Sequence, residues 1–128
     1  MNYKLSLAIL PAIVILLSMG SCKKKIRCVD GNGDFKMETR QTGTFNRIVT
    51  NGAFNITFSQ ASETRVDVFA ESNILPLIQT SVSDQTLLVQ VKNDGCYNTP
   101  QPVEVTLAAP DLKSASLTGS GELIDEGK

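Results

Sequence analysis

Apolar and polar side chains take turns along most of this chain. Phe54, Ile56 and Phe58 alternate with Asn55 and Thr57. A period of two sends successive side chains to opposite faces of a sheet, so this segment reads as a strand with one buried and one wet face. Gly52, directly after Asn51, interrupts the run at a bulge or tight corner. The alternation returns in Val66, Val68 and Ala70, set against Arg65, Asp67 and Phe69. It returns again in Leu87, Val89 and Val91, and in Val103, Val105 and Leu107. Between the second and third of these runs the period changes. Ile74, Leu77 and Ile78 fall at helical spacing, with Ser72 or Asn73 as a cap and Pro76 early, which predicts one or two turns of helix.

Turn residues punctuate the runs. Asp84-Gln85 makes a turn, and residues 93–102 form a loop carrying Gly95, Cys96, Pro100 and Pro102. Leu112, Ala115 and Leu117 lead into Gly119-Ser120-Gly121, after which Leu123 and Ile124 begin another segment. At least five short strands and one helical turn make an all-β domain. Strict repeats are not visible, so periodicity leaves sandwich and solenoid almost level. An aromatic content of 5% with no Trp is thin for a sandwich with a large buried aromatic.

The first residues stand outside this pattern. Lys4 gives a positive start, and Leu5 to Leu17 is apolar apart from Ser6 and Pro11. That is short for a permanent bilayer helix and fits a secretory signal. The run Leu17-Ser18-Met19-Gly20-Ser21-Cys22 resembles a bacterial lipoprotein signal. The resemblance implies cleavage before Cys22 and diacylation of its thiol, with residues 1–21 as signal and 22–27 as lipidated linker. An ordinary secreted protein with an incidental cysteine is the alternative. Lys23, Lys24 and Lys25 form the only basic run. Beside a lipidated Cys22 each would contribute on the order of 1 kcal/mol at anionic headgroups; otherwise they form a solvated linker.

Removal of the signal leaves about 107 residues, one small domain. Their net charge is about −2 by ordinary side-chain charges, which argues against a nucleic-acid partner. Cys28 and Cys96 are then the remaining thiols. An exported protein permits a disulfide between them, and two thiols so far apart in sequence can equally lie far apart in space.

Candidate chemistry is sparse. The chain has no His, so the commonest general base and metal ligand is missing. Asp30, Asn32 and Asp34 have the spacing of a calcium loop's first ligands, but Phe35 stands where that loop needs Gly and Gln41 where it needs Glu. We therefore read Asp-Gly-Asn-Gly-Asp as a turn and expect no metal. Gly119-Ser120-Gly121 lacks the helix and lysine of a phosphate loop. Carboxylates pair in sequence at Asp125 with Glu126, Glu63 with Asp67, and Asp30 with Asp34. Asn51, Asn55 and Thr57 belong to a polar set that either contacts a ligand or is simply the wet face of a sheet.

Taken in order, these segments resemble the head GIN domain family, described as a putative auto-transporter adhesin and found among Bacteroidetes lipoproteins. The resemblance is carried by Gly31-Asn32-Gly33, Thr39-Arg40, Phe45, Ile48 and Gly52-Ala53-Phe54-Asn55-Ile56. It continues through Val66-Asp67-Val68, Asn73-Ile74-Leu75-Pro76-Leu77-Ile78, Leu87-Leu88-Val89 and Val103-Glu104-Val105. Ala109-Pro110-Asp111-Leu112 and Leu117-Thr118-Gly119-Ser120-Gly121 complete it, so it spans residues 28–128. The resemblance implies a right-handed β-solenoid-like stack, a surface or periplasmic address and an adhesion role; we expect an outer-membrane lipoprotein, on the periplasmic or the surface side, that carries no cofactor. The family carries further rungs after its Gly-Ser-Gly segment, so we expect this domain to be its N-terminal part, truncated at the C-terminus.

Two functions follow. The first is a lipid-anchored, non-catalytic envelope protein that binds a glycan or protein, or packs structurally, through its sheet face. The second is an envelope enzyme cleaving glycans with paired carboxylates. A concave cleft with two carboxyl groups about 5–10 Å apart would favour the enzyme; a flat face rich in Asn and Thr favours the binder.

Overall fold

The computed structural model describes residues 27–127. The strands are β1 (Val29–Asp30), β2 (Phe35–Arg40), β3 (Arg47–Asn51), β4 (Phe54–Gln60), β5 (Arg65–Glu71), β6 (Ile78–Ser83), β7 (Thr86–Val91), β8 (Tyr97–Asn98), β9 (Val103–Ala109), β10 (Ser114–Thr118) and β11 (Glu122–Asp125). One sheet has the order β10-β3-β7-β6, a second β11-β4-β9-β5-β2, and β1 pairs with β8 in a two-stranded sheet. β3 runs parallel to both its neighbours, β7 and β10, and β4 is likewise parallel to β9 and β11. Antiparallel strands finish each sheet on the other side, β6 on β7 and β5 with β2 beyond β9.

Among the described residues the chain crosses from the first sheet to the second three times: at Gly52-Ala53, at Gly119–Gly121, and through residues 92–102. The crossings stack on one another. The Gly52 amide donates to the Thr118 carbonyl at 2.9 Å, and the pairs β3–β10 and β4–β11 keep one sequence offset around the corner. Gly52 is thus the corner that its interruption of the pattern predicts.

The core lies between the sheets and is made of the alternating residues. Phe54, Ile56 and Phe58 pair with Val103, Val105 and Leu107, and Val66 and Val68 extend the same layer. Ile48, Leu87, Val89 and Ile78 face them from the other sheet, with Phe45, Ile74 and Leu75 closing the cluster. Each such side chain contributes roughly 1.5–3 kcal/mol on burial.

Three sequence expectations need amendment. The helical turn is a single 3-10 turn, Leu75–Leu77, with Pro76 in its first turn, but neither Ser72 nor Asn73 caps it. The Asn73 side chain is used elsewhere, donating to the Asp30 carbonyl and accepting from the Asn32 amide. Asp67 lies on the outward side of β5, as the alternation requires, yet is only 7% exposed. Thr39 donates to one of its oxygens at 2.6 Å and Arg65 to the other at 2.7 Å, which offsets the cost of desolvating it. Lastly, β2 and β6 fill stretches whose patterning marks no strand. Lys36, Glu38 and Arg40 share a side of β2 facing Ala70, Val68 and Val66 across the pair. Inward charges on an edge strand discourage pairing with other chains. Arg40 also reaches over the sheet margin, donating to the carbonyls of Leu75 and Ile78 at 2.8 Å each.

Candidate functional site

The wet positions of the five-stranded sheet form rows across its outer face. One row reads Ile124, Thr57, Thr106, Asp67 and Thr39; the next reads Glu122, Asn55, Glu104, Phe69 and Met37. Adjacent strands place neighbours in a row about 4.8 Å apart. At the β5–β2 margin, Phe35 and Phe69 stack with ring centroids 5.7 Å apart, and Met37 beside them is 62% exposed. The face therefore passes from an apolar margin to an amide-, hydroxyl- and carboxylate-bearing centre.

Of the sequence-derived polar set, Asn55 and Thr57 lie on this face. Asn51 does not: it ends β3 and belongs to the four-stranded sheet, on the far side of the Gly52 corner. The alternation of Val103, Val105 and Leu107 leaves Glu104 and Thr106 on the wet side, so the pattern carried the signal for both residues. Phe69 and Met37 join them only through the order of strands.

A second constellation gathers at the start of the domain. Cys28 and Cys96 are joined by a disulfide across a sequence separation of 68. Next to it, β1 pairs with β8, and the Asp30 carboxylate accepts from the Asn98 side chain at 2.9 Å. The turn from Asp30 to Asp34 wraps over Glu71, whose carboxylate accepts from the Gly33 amide and from the Thr99 hydroxyl. Glu71 is 1% exposed. Nothing in the alternation of β5 marks it as buried; its cover comes from residues distant in sequence. Tyr97 sits half-buried alongside, and burial pushes its phenol above the usual tyrosine range.

The carboxylates paired in sequence are engaged separately. Asp67 holds Arg65 and Thr39, while Asp34 makes an ion pair with Lys36 at 3.4 Å. Asp125 accepts from the Gly127 amide. A shallow hollow is lined by Ala53 and residues 97–102, and another by Thr39, Ala61–Arg65 and Ala108. The first contains no carboxylate and the second only Glu63. Among the described residues no group of three acidic, Cys or His side chains is placed to hold a metal, and no helix is long and apolar enough to cross a membrane. Cys22 and the signal segment lie outside the described residues.

Residues 44–128 match the family model described as "Putative auto-transporter adhesin, head GIN domain". Among solved structures, a putative adhesin from Bacteroides fragilis is 23% identical with a TM-score of 0.69, over 74% of this chain and 44% of that one. A putative adhesin from Parabacteroides distasonis is 19% identical with a TM-score of 0.71, covering 79% and 42%. A putative lipid binding protein from the same species is 21% identical with a TM-score of 0.66, covering 77% and 44%. The chain thus spans less than half the length of these relatives, and the likeness is one of fold. No curated protein matches the chain.

Proposed function

The chain belongs to the head GIN domain family, and from that membership we propose a lipid-anchored, non-catalytic cell-envelope protein that serves as an adhesin-like binding or structural module. The observation that carries the binding role is the outer face of the five-stranded sheet. Asn55, Thr57, Glu104 and Thr106 stand there at strand spacing beside Phe69 and Met37, with no other segment of the described residues folded over them. A platform of amides, hydroxyls and an aromatic margin suits a glycan or protein ligand. A glycan-cleaving site would need two carboxyl groups converging in a cleft, and the hollows at residues 97–102 and 61–65 do not bring two together.

Anchoring rests on Cys22, the acceptor in the lipoprotein-like signal, with Lys23–Lys25 at the headgroups. The outer membrane is the proposed location, on its periplasmic or surface side. Parallel stacking of β3 on β7 and β10, and of β4 on β9 and β11, supports a right-handed solenoid-like build within the family. Metabolic labelling with a fatty acid tests the anchor. Label should enter the wild type and vanish in Cys22→Ala, and protein unlabelled in both would remove the anchor. Protease accessibility on intact cells then tells the surface side from the periplasmic one.

A further inference from the structure

The ends of the three crossings that lead into the second sheet form a continuous ridge. It consists of residues 51–53, 97–102 and 118–121, brought together by the Gly52–Thr118 hydrogen bond and by the hollow that joins Ala53 to the 97–102 loop. Every residue in these three segments is uncharged, in a chain that is 20% charged. Tyr97, Pro100, Pro102 and Ala53 give the ridge a shallow apolar hollow of about 410 Å³. Two acids neighbour it: Asp30 accepts from the Asn98 side chain, and the buried Glu71 accepts from the Thr99 hydroxyl. Charge flanks it at Lys92 and Asp94, in the first half of the 92–102 crossing, and on the strands that leave it, at Glu104 on β9 and Glu122 on β11.

The ridge is also where the chain enters the domain. The Cys28–Cys96 disulfide fixes the first residues of the domain one position before Tyr97. From Cys22 to Cys28 the backbone extends at most about 20 Å. The exposed Arg27 and the run Lys23–Lys25 lie within that length. A lipid on Cys22 therefore holds this side of the domain within one tether length of the bilayer. The far ends of β4 and β9, by contrast, project about 20 Å further along the strands.

We infer that this uncharged ridge is the surface that lies against the bilayer, leaving the outer faces of both sheets free for a partner. The inference rests on the lipid-anchored reading above. An uncharged surface loses little on approaching the headgroup layer, whereas each desolvated charge would cost. Tyr97 has the amphipathic ring that is enriched at membrane interfaces. The basic tether supplies attraction to anionic lipid without placing charge on the ridge itself.

The chain has no Trp, so one introduced Trp outside the signal is a sole reporter. Gln101→Trp places it on the ridge, with Ser120→Trp as a second ridge position should the first variant fail to fold. Ala61→Trp places it at the far end of β4. Each full-length, acylated protein is reconstituted into phosphatidylethanolamine–phosphatidylglycerol vesicles, with and without lipids brominated near the headgroup end of the acyl chains. Ridge fluorescence should fall by roughly half in brominated vesicles while the Ala61→Trp signal stays unchanged, as expected for a residue at the interface and one well above it. Protein that floats with the vesicles but shows equal quenching at the two ends, or quenching only at residue 61, overturns the orientation and leaves the anchor standing. Acylated protein that does not float overturns both.

Discussion

Substituting Gly31 by Ala should cost this fold more than any glycine-to-alanine change on an open turn. An ideal Cβ at residue 31 would stand 2.0 and 2.1 Å from the two carboxylate oxygens of Glu71. Van der Waals contact needs more than an ångström of additional room, so the carboxylate must retreat. It has nowhere favourable to go, because Glu71 is 1% exposed and holds the Gly33 amide and the Thr99 hydroxyl. Hydrogen bonds to a charged group contribute about 1.5–3 kcal/mol each, so losing two costs about 3 kcal/mol at the lower bound. Replacing Gly also restricts the unfolded chain, which stabilises by about 0.4–1 kcal/mol. The collision outweighs it, leaving a net loss of about 2–3 kcal/mol, or roughly 10–20 °C in Tm for a domain of this size. The informative assay is a double-mutant cycle by urea unfolding, run on the oxidised protein. Glu71→Asp shortens the side chain by one methylene, so it forfeits the same two bonds and removes the clash. Gly31→Ala should therefore add little to Glu71→Asp, giving an interaction energy of about 2 kcal/mol. Strict additivity, or a Gly31→Ala variant within about 0.5 kcal/mol of the wild type, would refute the reasoning.

Three further outcomes are expected. Cys96→Ser should destabilise the domain by about 4 kcal/mol in the chain-entropy model, because the bridge closes a loop across a separation of 68; denaturant midpoints of the variant and the oxidised wild type check this. Gly121→Ala should release β11 from β4. Its backbone at φ +151° is one that L side chains rarely adopt, and a Cβ would meet the Phe54 carbonyl oxygen at 2.2 Å. Hydrogen exchange should then show protection lost over Glu122–Asp125 and kept in β3 and β7. Tyr97 is the sole tyrosine from Cys22 onward, and its folded pKa is raised by burial above 10.0. The folded state therefore favours the neutral phenol. That contribution is complete below pH 10.0 and is lost as pH rises through the folded value, so stability should fall at alkaline pH in the wild type and less steeply in Tyr97→Phe.

How far the sequence could be read follows from what each strand touches. β4, β5, β7 and β9 each have one side in the core and one outside it, so Phe54, Val66, Leu87 and Val103 with their alternate neighbours announced them. β2 stayed hidden for the opposite reason. As an edge strand it points Lys36, Glu38 and Arg40 to the side that in a central strand would be apolar, and it shows its Phe and Met outward. Period two states that neighbours face apart, but it cannot state which sheet a strand joins. Asn51 and Asn55 read as one polar set, and the corner at Gly52 puts them in different sheets. The same limit explains Glu71. Its burial depends on Gly31 and Thr99, both remote in sequence, and only the crossing of the chain past the Cys28–Cys96 bridge brings them over it. Alternation thus encodes the inside of each sheet, whereas the ridge and the outer rows are products of strand order. Any ligand that reads the row Asn55–Glu104–Phe69 is reading three strands brought together from positions up to 49 residues apart. A variant that shifts the register of β9 against β4 should therefore abolish binding even with all three side chains intact.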